Sequence, residues 1–233
     1  MTVSGGERTK AEDRRMRRLT EFYLSRDASG RNLFEIWESG DARGDSITPA
    51  TCDEGYRRWM RRRLGELLAG PEEGLLSVGA GNAAIEVDVL AAGHRVMAVD
   101  VIAEAVDLAR SKGLEAEVGD VREWRPAEQW SVVYADGLLG HVYDPAQGLA
   151  PVLGHVRSWL RPGGALVLSN DRPPTDDPSV PAGGVPGFHW LSTHCIRDAA
   201  EEAGFVGIEC TEFVYERPVS GPRTRAIVVA RAA

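Results

Sequence analysis

The stretch LLSVGAGNAAIEVDVLAAGHRVMAVD, residues 75–100, limits the possible folds more than any other part of the chain. It reads as a buried apolar run, a glycine turn, an apolar helical segment, a second β-type run and a terminal acid. Two such runs with a helix between them need a crossover, and crossover-linked strands lie parallel in one sheet. The alternation continues downstream. Strands are predicted at 75–78, 95–99, 115–118, 131–135 and 165–169, with helices at 82–92, 102–112 and 145–160 between them.

Both ends of the chain depart from that rhythm. After Asn170 the segment 171–187 is rich in proline and glycine and is read as irregular; residues 171–190 form a candidate substrate loop. A helix is predicted at 193–203. Two β-type runs, 205–215 and 224–230, are joined by a 218–222 turn and pair as an antiparallel hairpin. Upstream, residues 1 to about 12 are expected to form a loose tail. Residues 14–38 carry helical spacing broken at Ser29-Gly30, and 40–49 is a loop. Thr51-x-x-Glu54 resembles a capping box opening a helix through Leu68, closed by Gly70 and Pro71. The expected fold is α/β: a Rossmann-like, doubly wound, mostly parallel seven-stranded sheet with a C-terminal antiparallel β-hairpin and an N-terminal helical cap. The cap is placed at 1–70 and the core at 71–233.

Bulk properties narrow the function. A formal net charge of −8 over 233 residues opposes general nucleic-acid binding, which needs a basic surface. The arginines around 57–63 are read as a solvated helix face. Three well-separated cysteines form no Cys-x-x-Cys pair, as expected of reduced thiols in a cytoplasmic protein. The N-terminal stretch MTVSGGERTKAEDRRMRRL lacks the apolar core of a secretory signal, and no apolar run reaches membrane-spanning length. A small-molecule partner is therefore expected, with neither nucleic acid nor membrane, and with the protein a monomer or homodimer.

Gly79 and Gly81 directly follow the first predicted strand, where glycine permits positive φ and close approach of backbone to a ligand. Asp100, about 20 residues beyond the loop, ends the second strand, where a carboxylate can accept both hydroxyls of a ribose. A nucleoside-containing cofactor follows. Gly79-x-Gly81-x-x-Ala84 also satisfies a dinucleotide fingerprint, so an NAD(P)-dependent oxidoreductase is one alternative, and a non-catalytic nucleoside-binding or partner module is another. Three features oppose a dinucleotide: some seventy residues precede the motif, the chain ends in a hairpin rather than a substrate domain, and Asp120 follows the third strand where an adenine amino group needs an acceptor.

From about Gly74 onward the chain resembles the class I S-adenosylmethionine-dependent methyltransferases. The first family motif, acid-x-Gly-x-Gly-x-Gly, corresponds to Ser77-Val78-Gly79-Ala80-Gly81-Asn82-Ala83. The ribose-binding acid corresponds to Asp100, the adenine-contacting acid to Asp120, and the fourth-strand motif to Tyr134-Ala135-Asp136-Gly137. Leu160-Arg161-Pro162-Gly163-Gly164 matches the family's Leu-x-Pro-Gly-Gly element, and Ala203-Gly204-Phe205 its late Gly-Phe. The resemblance implies S-adenosylmethionine as cofactor, held by Gly79, Ala80, Gly81, Asp100, Val101, Asp120, Val121 and Asp136. Two positions depart. Ser77 replaces the acid that helps hold the methionine amino group in the family, leaving Asp136 or a lid residue to compensate, and Ala83 replaces the last glycine.

A methyltransferase of this kind needs alignment and exclusion of water rather than a catalytic triad. A hydroxyl acceptor gains from a general base, so His141, in a segment resembling the family's His-x-x-Asp-Pro element, and His189, beside the proline-rich loop, are the catalytic candidates. His189 also joins Tyr23 and Trp37 as candidate substrate contacts. His189, His194 and Cys195 lack a carboxylate to complete a metal site, so no metal is expected. The family's DNA amino-methylating enzymes carry Asn/Asp-Pro-Pro-Tyr after the fourth strand. Here that place reads Asp136-Gly137-Leu138. The expected reaction is methyl transfer to an oxygen or nitrogen of a small metabolite, such as a biosynthetic intermediate.

Overall fold

The computed structural model describes residues 10–70 and 73–233. Its central sheet begins with five parallel strands: β1 (Gly74–Val78), β2 (Arg95–Asp100), β3 (Glu115–Val118), β4 (Trp130–Asp136) and β5 (Leu160–Asp171). The closing hairpin, β8 (Phe205–Arg217) and β9 (Gly221–Ala232), adds through β9, antiparallel to β5. The strand order is β3-β2-β1-β4-β5-β9-β8. Strand order reverses at β1, which lies between β2 and β4, and this creates the crevice where α/β sheets take ligands.

Alternation along the strands sorts side chains onto two faces. Leu76, Val78, Val133, Leu166 and Leu168 pack on one side beneath α8 (Ala150–Arg157) and α9 (Thr193–Glu202). Leu75, Val132, Tyr134 and Val167 pack on the other beneath α4 (Glu54–Leu67), α5 (Ala84–Ala91) and α6 (Ala103–Ser111). Every residue of β1 is buried, the pattern of a central parallel strand covered on both faces. Tyr56, Met60 and Leu64 of α4 belong to this second core cluster, whereas Tyr23 and Leu24 of α1 (Lys10–Leu24) and Phe34 and Trp37 of α2 (Leu33–Glu38) belong to a separate small one.

Several local expectations change. The expected tail lies mostly outside the described residues, as does Pro71. Thr51 caps nothing: it sits inside the single turn α3 (Pro49–Cys52), started by Pro49, and Asp53 caps α4 by accepting from the Tyr56 N–H at 2.8 Å. A true capping box opens α2 instead, with Asn32 and Glu35 each accepting the other's backbone N–H. The long helix expected at 145–160 shortens to α8. Asp144 and Gly148 close a tight turn in front of it, and Leu160 already pairs with Trp130 as a strand. The proline-rich segment is also more regular than expected. Its β6 (Ser179–Pro181) and β7 (His189–Leu191) form a short ribbon, compatible with Pro181 because that residue closes β6.

Candidate active site

The turn between β1 and α5 supplies the floor of a cleft of about 620 Å³, inside the range of roughly 300–1,000 Å³ typical of small-molecule sites. Gly79 and Gly81 have φ of +70° and +55°. A Cβ on Gly79 would lie 3.0 Å from the Leu138 side chain, so the left-handed backbone and the close neighbour both require glycine there. Ala83 follows with φ +53°, buried and left-handed where the resembled motif has its last glycine. Asp100, at the end of β2, ties the loop down: Oδ2 accepts from the Gly81 N–H at 3.0 Å and Oδ1 from the Ile102 N–H at 2.9 Å. Burial pushes the Asp100 carboxyl above its ordinary value, and those two N–H groups partly offset the effect.

All eight residues assigned to the cofactor from the sequence line this one cleft, brought from the loop between β1 and α5 and from the ends of β2, β3 and β4. Asp120, beyond β3, accepts from the Arg122 N–H at 3.0 Å and sits 3.6 Å from its guanidinium. Asp136, at the end of β4, has a different setting. It is ion-paired with buried Arg225 and accepts hydrogen bonds from Tyr56 Oη at 3.1 Å and Tyr134 Oη at 3.0 Å. Arg225 also reaches Asp171 at 3.2 Å, which in turn holds Arg217 and accepts from Tyr215 Oη at 3.1 Å. Two carboxylates and two guanidiniums thus form a buried network in the wall of the cleft, with Arg225 Nε left without a hydrogen-bond partner.

The cap closes over the opposite wall. Tyr23 of α1 stacks on Phe34 at 5.4 Å and meets Trp37 edge-on at 5.9 Å; Tyr23 and Trp37 both line the cleft. Tyr23 Oη and His141 Nε2 share a hydrogen bond of 3.0 Å. His141 lies on the single turn α7 (Leu139–Val142), its ring 4.7 Å from that of Phe188. Burial, reinforced by the nearby charges of Arg15 and Arg122, pushes His141 down to about 3, so the ring is neutral near pH 7. Burial, then the charge of Asp100, raises the Tyr23 phenol.

His189 is not among the cleft-lining residues, whereas its neighbours Phe188 and Trp190 are. Strand alternation along β7 explains this, since adjacent side chains point to opposite faces. The His189 ring instead packs 5.1 Å from Tyr143. Among the described residues there is no cluster of His, Cys, Asp or Glu able to hold a metal.

Sequence reasoning passed over Glu86, Arg225 and Asp171. Glu86, in the first turn of α5, is 3% exposed and lines the cleft. Its Oε1 accepts from Ser77 Oγ at 2.5 Å. Burial pushes the Glu86 carboxyl up to about 7; the Ser77 hydroxyl opposes this and the charge of Asp136 adds to it. A signal for it exists in the sequence, an acid between Ile85 and Val89 on the buried side of a short apolar helix. Arg225 likewise shares a strand face with Ile227 and Val229, where an exposed arginine has no place.

A glycine turn, two acids at successive strand ends and a 3-2-1-4-5 parallel sheet closed by an antiparallel hairpin define a nucleoside-binding methyltransferase fold. The chain belongs to the S-adenosylmethionine-dependent methyltransferases, and the dinucleotide alternative falls with that membership. A family model described as a methyltransferase domain matches residues 75–164. A tabtoxin biosynthesis enzyme of Pseudomonas amygdali pv. tabaci is 41% identical over 208 residues, covering 87% of this chain and 81% of that protein. Among solved structures, Burkholderia thailandensis 1,6-didemethyltoxoflavin-N1-methyltransferase, with 1,6-didemethyltoxoflavin and S-adenosylhomocysteine bound, superposes with a TM-score of 0.66 at 20% identity, over 99% of this chain and 93% of that one. Haemonchus contortus phosphoethanolamine N-methyltransferase 2 gives the same TM-score at 14% identity, over 85% of this chain and 56% of that one. The protein is an S-adenosylmethionine-dependent methyltransferase. Among the described residues no helix is long and apolar enough to cross a membrane.

Proposed function

We propose that this enzyme methylates an oxygen or nitrogen of a small metabolite during the biosynthesis of a secondary metabolite. The observation that carries the proposal is the convergence of the glycine turn, Asp100 and Asp120 on a cleft roofed by Tyr23 and Trp37. In this arrangement the Gly79-Ala80-Gly81 turn packs against the methionine end of the cofactor, Asp100 takes the ribose hydroxyls and Asp120 the adenine amino group. Val101 and Val121 flank the base. The bound cofactor supplies an activated methyl group, so the protein's task is to orient the acceptor and exclude water.

The acceptor lies between the aromatic cap, the 171–190 segment and the β8–β9 hairpin. Trp190 and Arg223 meet there, the guanidinium 4.2 Å from the ring centroid, and both line the cleft. A stacked cation beside an indole suits a polar, planar or anionic acceptor. His141, neutral and hydrogen-bonded to Tyr23, positions the cap; an amine acceptor then needs no base beyond its own lone pair. His189 would influence the acceptor only through Phe188 and Trp190. The small-molecule assignment draws support from the biosynthetic relative and from the structural neighbour that methylates a small heterocycle. We further infer a cytoplasmic monomer or homodimer that acts without nucleic acid.

Calorimetry with S-adenosylhomocysteine and with NADH, followed by methyl transfer from radiolabelled cofactor to a panel of amino-acid-derived and heterocyclic metabolites, tests the proposal. Labelled product from a hydroxyl- or amine-bearing metabolite supports it. Binding of NADH without the homocysteine ligand, or transfer only to carbon, sulfur or a macromolecule, would refute it.

A further inference from the structure

The serine at position 77 leaves an unanswered need in the cleft. The cofactor carries an α-ammonium group, and a cation removed from water requires a paired carboxylate. From the geometry we infer that Glu86, reaching back from α5 to the Ser77 hydroxyl, is the carboxylate that binds the cofactor's ammonium group. The anionic contact expected at the end of β1 is thereby relocated to the first turn of the following helix. The inference rests on the chain being an S-adenosylmethionine-dependent enzyme.

Elimination among the cleft's acids supports the assignment. Asp100 and Asp120 already serve the ribose and the adenine amino group in the proposed arrangement, besides accepting the Gly81, Ile102 and Arg122 N–H groups. Asp136, the compensating acid suggested by the sequence, is engaged by Arg225, Tyr56 and Tyr134, and Asp171 by Arg217, Arg225 and Tyr215. Asp45 accepts from the Val219 and Ser220 N–H groups. Glu86 has only the Ser77 hydroxyl and its own backbone N–H, so an ionised carboxylate retains lone pairs without donors. No arginine or lysine forms an ion pair with it among the described residues.

The exchange of residue sizes is coherent. Ser77 is 1% exposed and faces Ala98 and Tyr134 across the neighbouring strands, so its short side chain leaves space above β1 that Glu86 enters. The helix N-terminus favours a negative charge there. The groups whose charges reach Glu86 are Asp136 and Tyr134 on β4 and Lys112 beyond α6; Lys112 is itself held by Glu38 and the Asn82 carbonyl. Burial favours the protonated carboxyl in the free enzyme, so arrival of an ammonium, which favours the ionised form, expels protons.

Titration calorimetry of the full chain with S-adenosylhomocysteine, and with 5′-methylthioadenosine, which lacks the amino-acid end, tests the role. Glu86→Gln keeps the size and the Ser77 contact. It should weaken S-adenosylhomocysteine roughly ten- to hundredfold, the range of a charge-assisted hydrogen bond, and leave methylthioadenosine unchanged. A second measurement needs no variant: at pH 7, heats in two buffers of different ionisation enthalpy should reveal net proton release with S-adenosylhomocysteine and none with methylthioadenosine. Unchanged homocysteine binding in Glu86→Gln, equal weakening of both ligands, or no difference in proton release would overturn the role. Wild-type binding of neither ligand would instead remove the cofactor assignment on which it stands.

Discussion

Replacing Arg225 by methionine should be the most damaging single change outside the apolar core. The guanidinium is 3% exposed and holds Asp136 and Asp171, whose side chains are 9% and 3% exposed. Asp171 keeps Arg217, but Asp136 is left with two tyrosine hydroxyls and no cation. Breaking a buried pair by removing one member costs about 3–5 kcal/mol, because the remaining charge is stranded. For a chain of this size, each kilocalorie lowers Tm by roughly 2–4 °C, so a fall of about 6–20 °C is expected. Scanning calorimetry and urea unfolding both read it. The cycle with Asp136→Asn separates electrostatics from lost volume: neutralising the stranded acid in the Arg225→Met background should recover at least about 1.5 kcal/mol. A loss below about 1 kcal/mol for Arg225→Met, or an additive double variant, would show that the network contributes packing only.

Other expectations concern the cleft and its titration. Asp100→Ala should weaken S-adenosylhomocysteine by about 1.5–3 kcal/mol per lost charge-assisted hydrogen bond, read by calorimetry; unchanged affinity would remove Asp100 from the ribose. Two buried groups give opposite pH dependences in the free enzyme. Glu86, raised to about 7 in the folded state, favours folding below its ordinary value near 4.5, and that benefit is lost as pH rises to 7. His141, lowered to about 3, favours folding above 6.5, and its benefit is lost as pH falls towards 3. Between pH 4.5 and 6.5 they oppose each other. Relative to wild type, Glu86→Gln should therefore tilt stability upward with pH, and His141→Asn should tilt it downward, each by up to one proton or about 1.4 kcal/mol per pH unit. Parallel stability–pH curves for all three proteins would contradict this. Gly140→Ala should destabilise by about 1–3 kcal/mol, because its Cβ would meet the His189 carbonyl oxygen and the Phe188 ring of the cleft-side ribbon. An unchanged Tm would show that the ribbon yields.

The sequence by itself determined the alternation that forces a parallel sheet, the order of its strands' functional ends, and the glycine turn with Asp100 and Asp120 beyond it. These are local properties: hydrophobic period, backbone permissiveness, and an acid at a fixed distance from a strand end. The resemblance carried by those motifs supplied the cofactor. Where neighbouring residues competed for one local role, pattern misplaced it: Pro49 started a turn that absorbed Thr51, leaving the cap to Asp53. Only the tertiary structure decided which acids in the cleft remain available. Asp136 and Glu86 differ little as letters in a row. The first is 89 residues from the arginine that engages it, and the second meets the short side chain of Ser77 and its own backbone N–H. Whether a carboxylate is spent or available depends on its partners in space, and long-range pairing of that kind leaves no period in the sequence.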